Sequence, residues 1–164
     1  MTTSFLPQPL RDAAAHPTGP RAVVEAFLAA LAARDFAAAT SLLAEDVTYI
    51  NVGMPTLRGR RRAMALLRPL GRPGASFEVY LHAVAVEGDT VLTDRTDVLI
   101  LGAVRMQFWV TGRFEVRDGQ IAYWRDSFDY LDLFRAFVRG LVGAVVPRVR
   151  PAAPSSPDVE PGRH

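Results

Sequence analysis

Apolar positions recur along this chain first at helical and then at strand spacing. Val24, Phe27, Leu28 and Leu31 fall at i, i+3, i+4 and i+7 after Pro20, which predicts a helix with one buried stripe. Asp35 is placed to cap a second short helix carrying Phe36, Leu42 and Leu43. Val47 to Val52 (VTYINV) reads as a strand from its β-branched and aromatic content, and Gly53-Met54-Pro55 breaks it ahead of RGRRRAMALLRPL, a short helix ending at Gly71. From Ser76 the pattern changes to four strands in succession: FEVYLHAVAVEG, TVLTDRTDVLILG, VRMQFWVTGRFEVRDG and QIAYWRDSFD. Their separators, Gly88-Asp89, Gly102-Ala103 and Asp118-Gly119, are short and turn-competent, so neighbours are expected to pair antiparallel as a meander. A last helix, Asp129 to about Val146, carries Leu133, Phe134, Phe137, Val138, Leu141 and Val145 on one face, expected to be the buried one.

The predicted order is α-α-β-α-β-β-β-β-α. Helices gathered before and after a curved antiparallel sheet define an α+β fold in which the sheet wraps a pocket and the helices close it. The periodic part runs from 18 to 146. Residues 1–17 carry Pro7, Pro9 and Pro17 without periodicity and residues 147–164 are rich in Pro and Ser, so both are expected to be disordered tails.

Composition narrows the chemistry. The chain has 164 residues, 49% hydrophobic and 22% charged, which is globular and large enough for one core with an internal pocket. It has no cysteine, which excludes disulfides and thiolate catalysis. The net charge is only +2, and the 19 basic residues are all arginine, so the basic isoelectric point says little about nucleic acid. Arg58, Arg60, Arg61, Arg62, Arg68 and Arg72 form a basic run, read as a solvated helix face because no aromatic residues interleave to stack bases. No apolar stretch reaches the roughly 18 residues of a membrane span. The N-terminus has no secretion-signal pattern, so a cytoplasmic location is expected. Gly-rich phosphate loops and metal-ligand spacings are absent, and His82 alone is assigned no role.

The strands carry exceptions to their apolar pattern. In a strand, residues two apart share a face. The even positions of the third meander strand, Val104 through Val116, form its apolar and therefore concave face. On the preceding strand Arg95 and Asp97 share parity with Val91, Thr93 and Leu99, an ion pair in an otherwise apolar strand. Alone this would read as a structural pair at the sheet rim. Burying it costs several kcal/mol unless further hydrogen bonds satisfy it, and such groups are seldom kept for stability. Tyr49 and Asn51 share one face of VTYINV, and Asp126 shares the face of Trp124 and Phe128. Asp126 could also cap the last helix, but Asp129 is nearer the start of periodicity. Two carboxylates, a guanidinium, a phenol and an amide suit acid and base chemistry on a small substrate, with Arg95 holding one carboxylate ionised while the other keeps its proton. Leu99, Met106, Phe108, Val110, Phe128 and Leu141 are apolar residues expected to line the pocket and to favour a hydrophobic substrate.

TYIN, TDRTDVL and YWRDSFD together resemble the limonene-1,2-epoxide hydrolase family, whose pattern is Tyr-x-Asn, Arg-x-Asp and a later Trp-Arg-Asp on neighbouring strands. The stretch from RGRRRAMALLRPL to FWVTGRFEV further resembles an actinobacterial branch that accepts bulkier, including sterol-derived, epoxides. The resemblance covers roughly 22 to 146. It implies a cone-shaped fold like nuclear transport factor 2 (NTF2) and ketosteroid isomerase, with a curved, mixed, mostly antiparallel sheet around a deep pocket. It implies catalysis without a cofactor. A water held by Tyr49, Asn51 and Asp126 loses a proton to Asp126 and attacks an epoxide carbon. Asp97 protonates the epoxide oxygen, Arg95 bridges the carboxylates, and a vicinal diol results in one step. The implied partners are a small lipophilic, terpene- or sterol-like epoxide and water, with no nucleic acid, no membrane span and a homodimeric assembly that also draws on Trp109 as an exposed residue. Two other readings stay open: an epoxide-opening cyclase or isomerase of the same fold, and a non-catalytic ligand-binding module.

Overall fold

A computed structural model describes residues 18–149 and Ala152. The expected tail 1–17 and most of the expected tail 147–164 lie outside the described residues; Pro147–Val149 forms a single 3-10 turn. Helix α1 (Pro20–Ala32) opens with Pro20 at its first turn and buries the predicted stripe, Val24, Phe27, Leu28 and Leu31, together with Val23. Asp35 caps α2 (Phe36–Ser41) by accepting a 2.9 Å hydrogen bond from the Ala38 N–H. The expectation that Leu42 and Leu43 continue this helix is corrected. Leu43 opens strand β1 (Leu43–Asn51), because the N–H of Ile121 takes the Leu42 carbonyl and Ile121 pairs with Leu43.

A two-residue strand, β2 (Leu57–Arg58), returns beside β1 and is too short to leave a period in the sequence. Helix α3 (Arg60–Leu67) and a 3-10 turn (Arg68–Gly71) follow. The meander is β3 (Ala75–Glu87), β4 (Thr90–Leu101), β5 (Val104–Arg117) and β6 (Gln120–Ser127), every neighbour antiparallel. Asp118 and Gly119, at φ +53° and +73°, form the tight β5–β6 turn whose positive dihedrals match strand twist. The sheet order is β2-β1-β6-β5-β4-β3, with β1 parallel to β6, so the fold is α+β with a mixed, mostly antiparallel sheet. Bulges between Leu81 and Ala83 and between Glu115 and Val116 bend it. Val110, Phe114 and Val116 are buried on the even, inner face of β5 while Trp109, Thr111 and Arg113 are exposed.

Helix α4 (Tyr130–Val145) is capped by Asp129, whose carboxylate accepts from the Leu131 and Asp132 N–H groups. Its orientation corrects the sequence expectation. The face it buries is Ala136, Gly140 and Gly143, while Phe134 is 62% exposed and Phe137, Val138 and Leu141 are also exposed. The reason lies in β5, whose first half runs past the end of β6 and offers an open backbone edge. A Cβ on Gly140 would lie 2.7 Å from the Arg105 carbonyl oxygen, so only the smallest residues let the helix close on that edge. Arg139 donates to the Gln107 carbonyl there, and Asp132 accepts from the Trp109 N–H.

Candidate active site

Four strands place polar groups side by side beneath the helices. Parallel pairing sets Asn51 opposite Asp126 and Tyr49 opposite Trp124. Antiparallel pairing sets Asp126 opposite Gly112 and Gly112 opposite Thr93. Thr93, Gly112, Asp126 and Asn51 therefore form one transverse row across β4, β5, β6 and β1. Arg95 and Asp97 lie on the same face of β4, one and two steps further along it.

The centre of the site is Arg95, 1% exposed. Its Nε donates to Asp97 Oδ1 at 2.9 Å and its Nη2 to Asp97 Oδ2 at 3.3 Å. Nη2 also makes a 2.8 Å ion pair with Asp126 Oδ2, and Nη1 donates to Thr93 Oγ1 at 3.1 Å. To reach Asp126 the guanidinium must pass over β5, and it does so at Gly112. A Cβ there would fall against Arg95 Nη1, 2.6 Å from Thr93 Oγ1 and 2.8 Å from the Phe114 ring. The missing side chain is thus a requirement of the bridge. The Phe114 ring centroid lies 6.0 Å from the guanidinium carbon and closes it from below.

Burial pushes the Asp97 carboxyl up to about 6; Arg95 opposes this and the nearby Asp126 charge adds to it. Burial works against the Arg95 charge, but Asp126 and Asp97 outweigh it and hold the guanidinium above its ordinary value. Burial and the Asp126 charge also raise the Tyr49 phenol, with Asn51 pulling the other way, so at neutral pH Tyr49 is a hydroxyl donor. Tyr49 stacks on Trp124 at 3.9 Å, and Phe27 meets the same indole edge-on at 5.1 Å, which fixes the phenol's direction. Asp126 Oδ1 is buried and has no hydrogen-bond partner among the described residues. One carboxylate oxygen is therefore tied to Arg95 and the other is open to accept a proton.

These groups form the polar end of a cavity of about 250 Å³. Tyr49, Asn51, Arg95, Asp97 and Asp126 all line it, as do Leu99, Phe108, Val110 and Phe128. Two expected lining residues do not. Leu141 points away on the exposed side of α4, and Met106 packs beside Phe108, Val110 and Ala136 outside the cavity wall. Leu133 of α4 supplies the wall instead, joined by Leu28 and Leu31 of α1, Leu66 and Leu67 of α3, and Phe77 of β3. Sequence reasoning also passed over Thr93 and Gly112. Both were on the correct strand face, but a threonine and a glycine carry no charge to draw attention. A side chamber of about 110 Å³ shares Tyr49, Asn51 and Leu66 with the main one and is otherwise walled by Met54, Pro55 and Leu57. The Tyr130 hydroxyl donates to the Val52 carbonyl and ties that loop to α4. His82, on the outer face, bonds Thr96 at 2.8 Å and stacks on Trp109.

A guanidinium clamped between two buried carboxylates thus closes the polar end of an apolar cavity, an arrangement able to hold one carboxyl protonated beside one ionised. Comparison with known proteins gives the reaction. Residues 18–139 match the model of the limonene-1,2-epoxide hydrolase catalytic domain. The chain is 51% identical over 128 residues to epoxide hydrolase EphG of Mycobacterium tuberculosis, covering 77% of this chain and 85% of that protein. It superposes on the structure of an M. tuberculosis LEH-like epoxide hydrolase with a TM-score of 0.75 and 47% identity, over 80% of this chain and 93% of that one. The fold alone is shared with an NTF2-like protein of unknown function from Cytophaga hutchinsonii, at 24% identity, a TM-score of 0.60 and coverage of 70% and 94%. The chain belongs to the limonene-1,2-epoxide hydrolase family and is an epoxide hydrolase.

Proposed function

We propose that this enzyme adds water to a lipophilic, terpene- or sterol-like epoxide in one acid–base step, with no covalent intermediate. The observation that carries this reading is the asymmetry of the two carboxylates on Arg95. Asp126 keeps one oxygen free of any partner among the described residues and suits the base, whereas Asp97 has its carboxyl raised and suits the acid. Tyr49 and Asn51, the latter opposite Asp126 on the adjoining strand, hold the water. Asp126 Oδ1 takes its proton as the oxygen attacks a ring carbon. The ring C–O bond breaks, and Asp97 delivers its proton to the departing oxygen. The 3.3 Å contact of Asp97 Oδ2 with Arg95 is the longer of its two, so Oδ2 is the oxygen assigned the proton. Both hydroxyls of the diol are accounted for: one keeps the second proton of the water and the other takes the proton of Asp97, which leaves Asp126 protonated and Asp97 ionised until proton exchange with solvent resets the pair. Ring strain supplies driving force, and the protein chiefly orients water and acid.

The walls of the cavity support this substrate class. Beyond the polar end, the main cavity presents Leu28, Leu31, Phe77, Phe108, Phe128 and Leu133, and at about 250 Å³ it takes a cyclic terpene skeleton inside while a larger body extends through the mouth. The test is turnover of terpene, sterol and styrene-type epoxides in oxygen-18 water. Diol carrying the label in the first turnover is expected. First-turnover diol without the label requires a carboxylate ester and overturns the mechanism.

Homodimerisation completes the proposal. The outward face of α4, with Phe134, Phe137, Val138, Leu141 and Val142, together with half-exposed Trp109, leaves a contiguous apolar helix face that water covers poorly. Light scattering is expected to give twice the 17.9 kDa chain mass, and a single species at chain mass removes the dimer.

A further inference from the structure

Between Arg58 and Arg72 the chain has six arginines and no acidic residue. The structure gathers five of them, Arg58, Arg60, Arg61, Arg62 and Arg68, around one concavity of about 600 Å³, with Glu45 the only acidic group on its rim among the described residues. Arg60 donates to the Leu43 carbonyl, and none of the other four makes an ion pair among the described residues. By contrast Arg21, Arg105, Arg113 and Arg117 are each paired with a carboxylate.

This basic face adjoins the active-site cavity through α3, whose Ala65 lines the one and whose Leu66 lines the other. Ala63 and Met64 of α3 are buried, which turns Arg61, Arg62, Ala65, Leu66 and Arg68 outward together. Leu66, 42% exposed, lines both the main cavity and the side chamber, and Met54, 47% exposed, stands across from it on the side-chamber wall. Apolar residues at the mouth are thus flanked by uncompensated arginines, whose aliphatic stems lie on apolar surface while their charged heads reach outward. That combination matches the surface of a bilayer carrying anionic headgroups, where basic side chains meet phosphate and short apolar residues enter the headgroup layer. It does not match nucleic acid, since no exposed aromatic residue lies among the arginines to stack a base.

We propose that α3 and its flanking loop dock the enzyme reversibly on an anionic lipid surface, so that the cavity mouth faces the phase in which a lipophilic epoxide is dissolved. The docking rests on the lipophilic-substrate reading for its purpose but not for its detection. Each arginine near such a surface contributes about fivefold in affinity at ordinary ionic strength. Attraction of this kind weakens steeply as salt shortens the screening length.

The test is sedimentation of the full chain with vesicles of phosphatidylglycerol and phosphatidylcholine, against vesicles of phosphatidylcholine alone, without substrate. Binding to the anionic vesicles only, reversed by salt, is expected. R61E/R62E/R68E is expected to lower vesicle affinity by about a hundredfold or more while leaving turnover of a water-dissolved epoxide within twofold, because these side chains do not line the cavity. R61Q/R62Q/R68Q provides the same comparison should charge reversal unfold α3. Equal sedimentation with both vesicle types, no sedimentation at low salt, or binding of inorganic phosphate or an oligonucleotide without vesicle binding each overturns the proposal. Vesicle binding by an enzyme that turns over only small polar epoxides leaves the docking intact and removes the lipophilic-substrate reading instead.

Discussion

Replacing Asp97 by Asn is expected to lower turnover by about 10²–10⁴-fold with the fold intact, the range seen when a positioned general acid is lost. The amide keeps the carboxyl's size and can still accept from Arg95 Nε, so the strand pairing of β4 with β5 and β3 is undisturbed. What it cannot do is release a proton to an epoxide oxygen. Circular dichroism and unfolding of the variant separate loss of chemistry from loss of structure, and unchanged turnover would remove Asp97 from the mechanism. A pH dependence accompanies this role. Because burial holds the Asp97 carboxyl at about 6, its protonated fraction, and with it kcat/KM, falls as pH rises through that value. Without burial the same limb would begin near the ordinary carboxyl value of 3.8. The two carboxylates titrate as a coupled pair through Arg95, so the profile reports the site rather than one residue.

Gly112→Ala is expected to be nearly as damaging although it removes no functional group. The added methyl occupies the passage by which Arg95 crosses β5, with Thr93 Oγ1 and the Phe114 ring closing the other sides. Backbone pairing on both edges keeps β5 from withdrawing, since Gly112 is matched with Thr93 on one side and Asp126 on the other. The guanidinium must then give up its contact with Asp126 and leave a buried carboxylate without a cation. Breaking a buried ion pair in this way costs about 3–5 kcal/mol of stability. A displacement of about 1 Å in the acid–base geometry costs about 10²-fold in rate. Denaturant unfolding and kcat measured on the same preparation check both figures. Wild-type stability with wild-type rate would show that the arginine does not need this gap.

These two residues illustrate what the sequence made legible. Charge in an apolar strand is a loud signal, and period-two parity alone places Arg95, Asp97 and Asp126 on inner faces. The capping of α4 by Asp129 was readable too, because it depends on local spacing, and it freed Asp126 for the cavity. Gly112 was silent because its meaning arises only where three strands meet. The orientation of α4 was misread for a related reason. An amphipathic pattern identifies the apolar face, and burial of that face is the usual outcome. Here the open edge of β5 selects closeness over apolarity, so Ala136 and Gly140 turn inward and Leu141 turns out. The end of α2 shows the same limit on a smaller scale, since the partner that converts Leu43 to strand is Ile121, far along the chain.

The parallel seam between β1 and β6 carries a consequence for how the enzyme becomes active. The hairpins from β3 through β6 close between neighbours in sequence, whereas β1 must wait for β6 and pays a longer loop closure before any contact rewards it. Tyr49 and Asn51 stand on one side of that seam and the Arg95–Asp97–Asp126 cluster on the other. A chain emerging from the ribosome therefore has only the two-residue β2 to pair with its first strand until its sixth has been made, and hydrolysis is expected to begin only once the first and sixth are joined. Recovery of turnover during refolding should trail the formation of the meander, making catalysis itself the reporter of the last folding step.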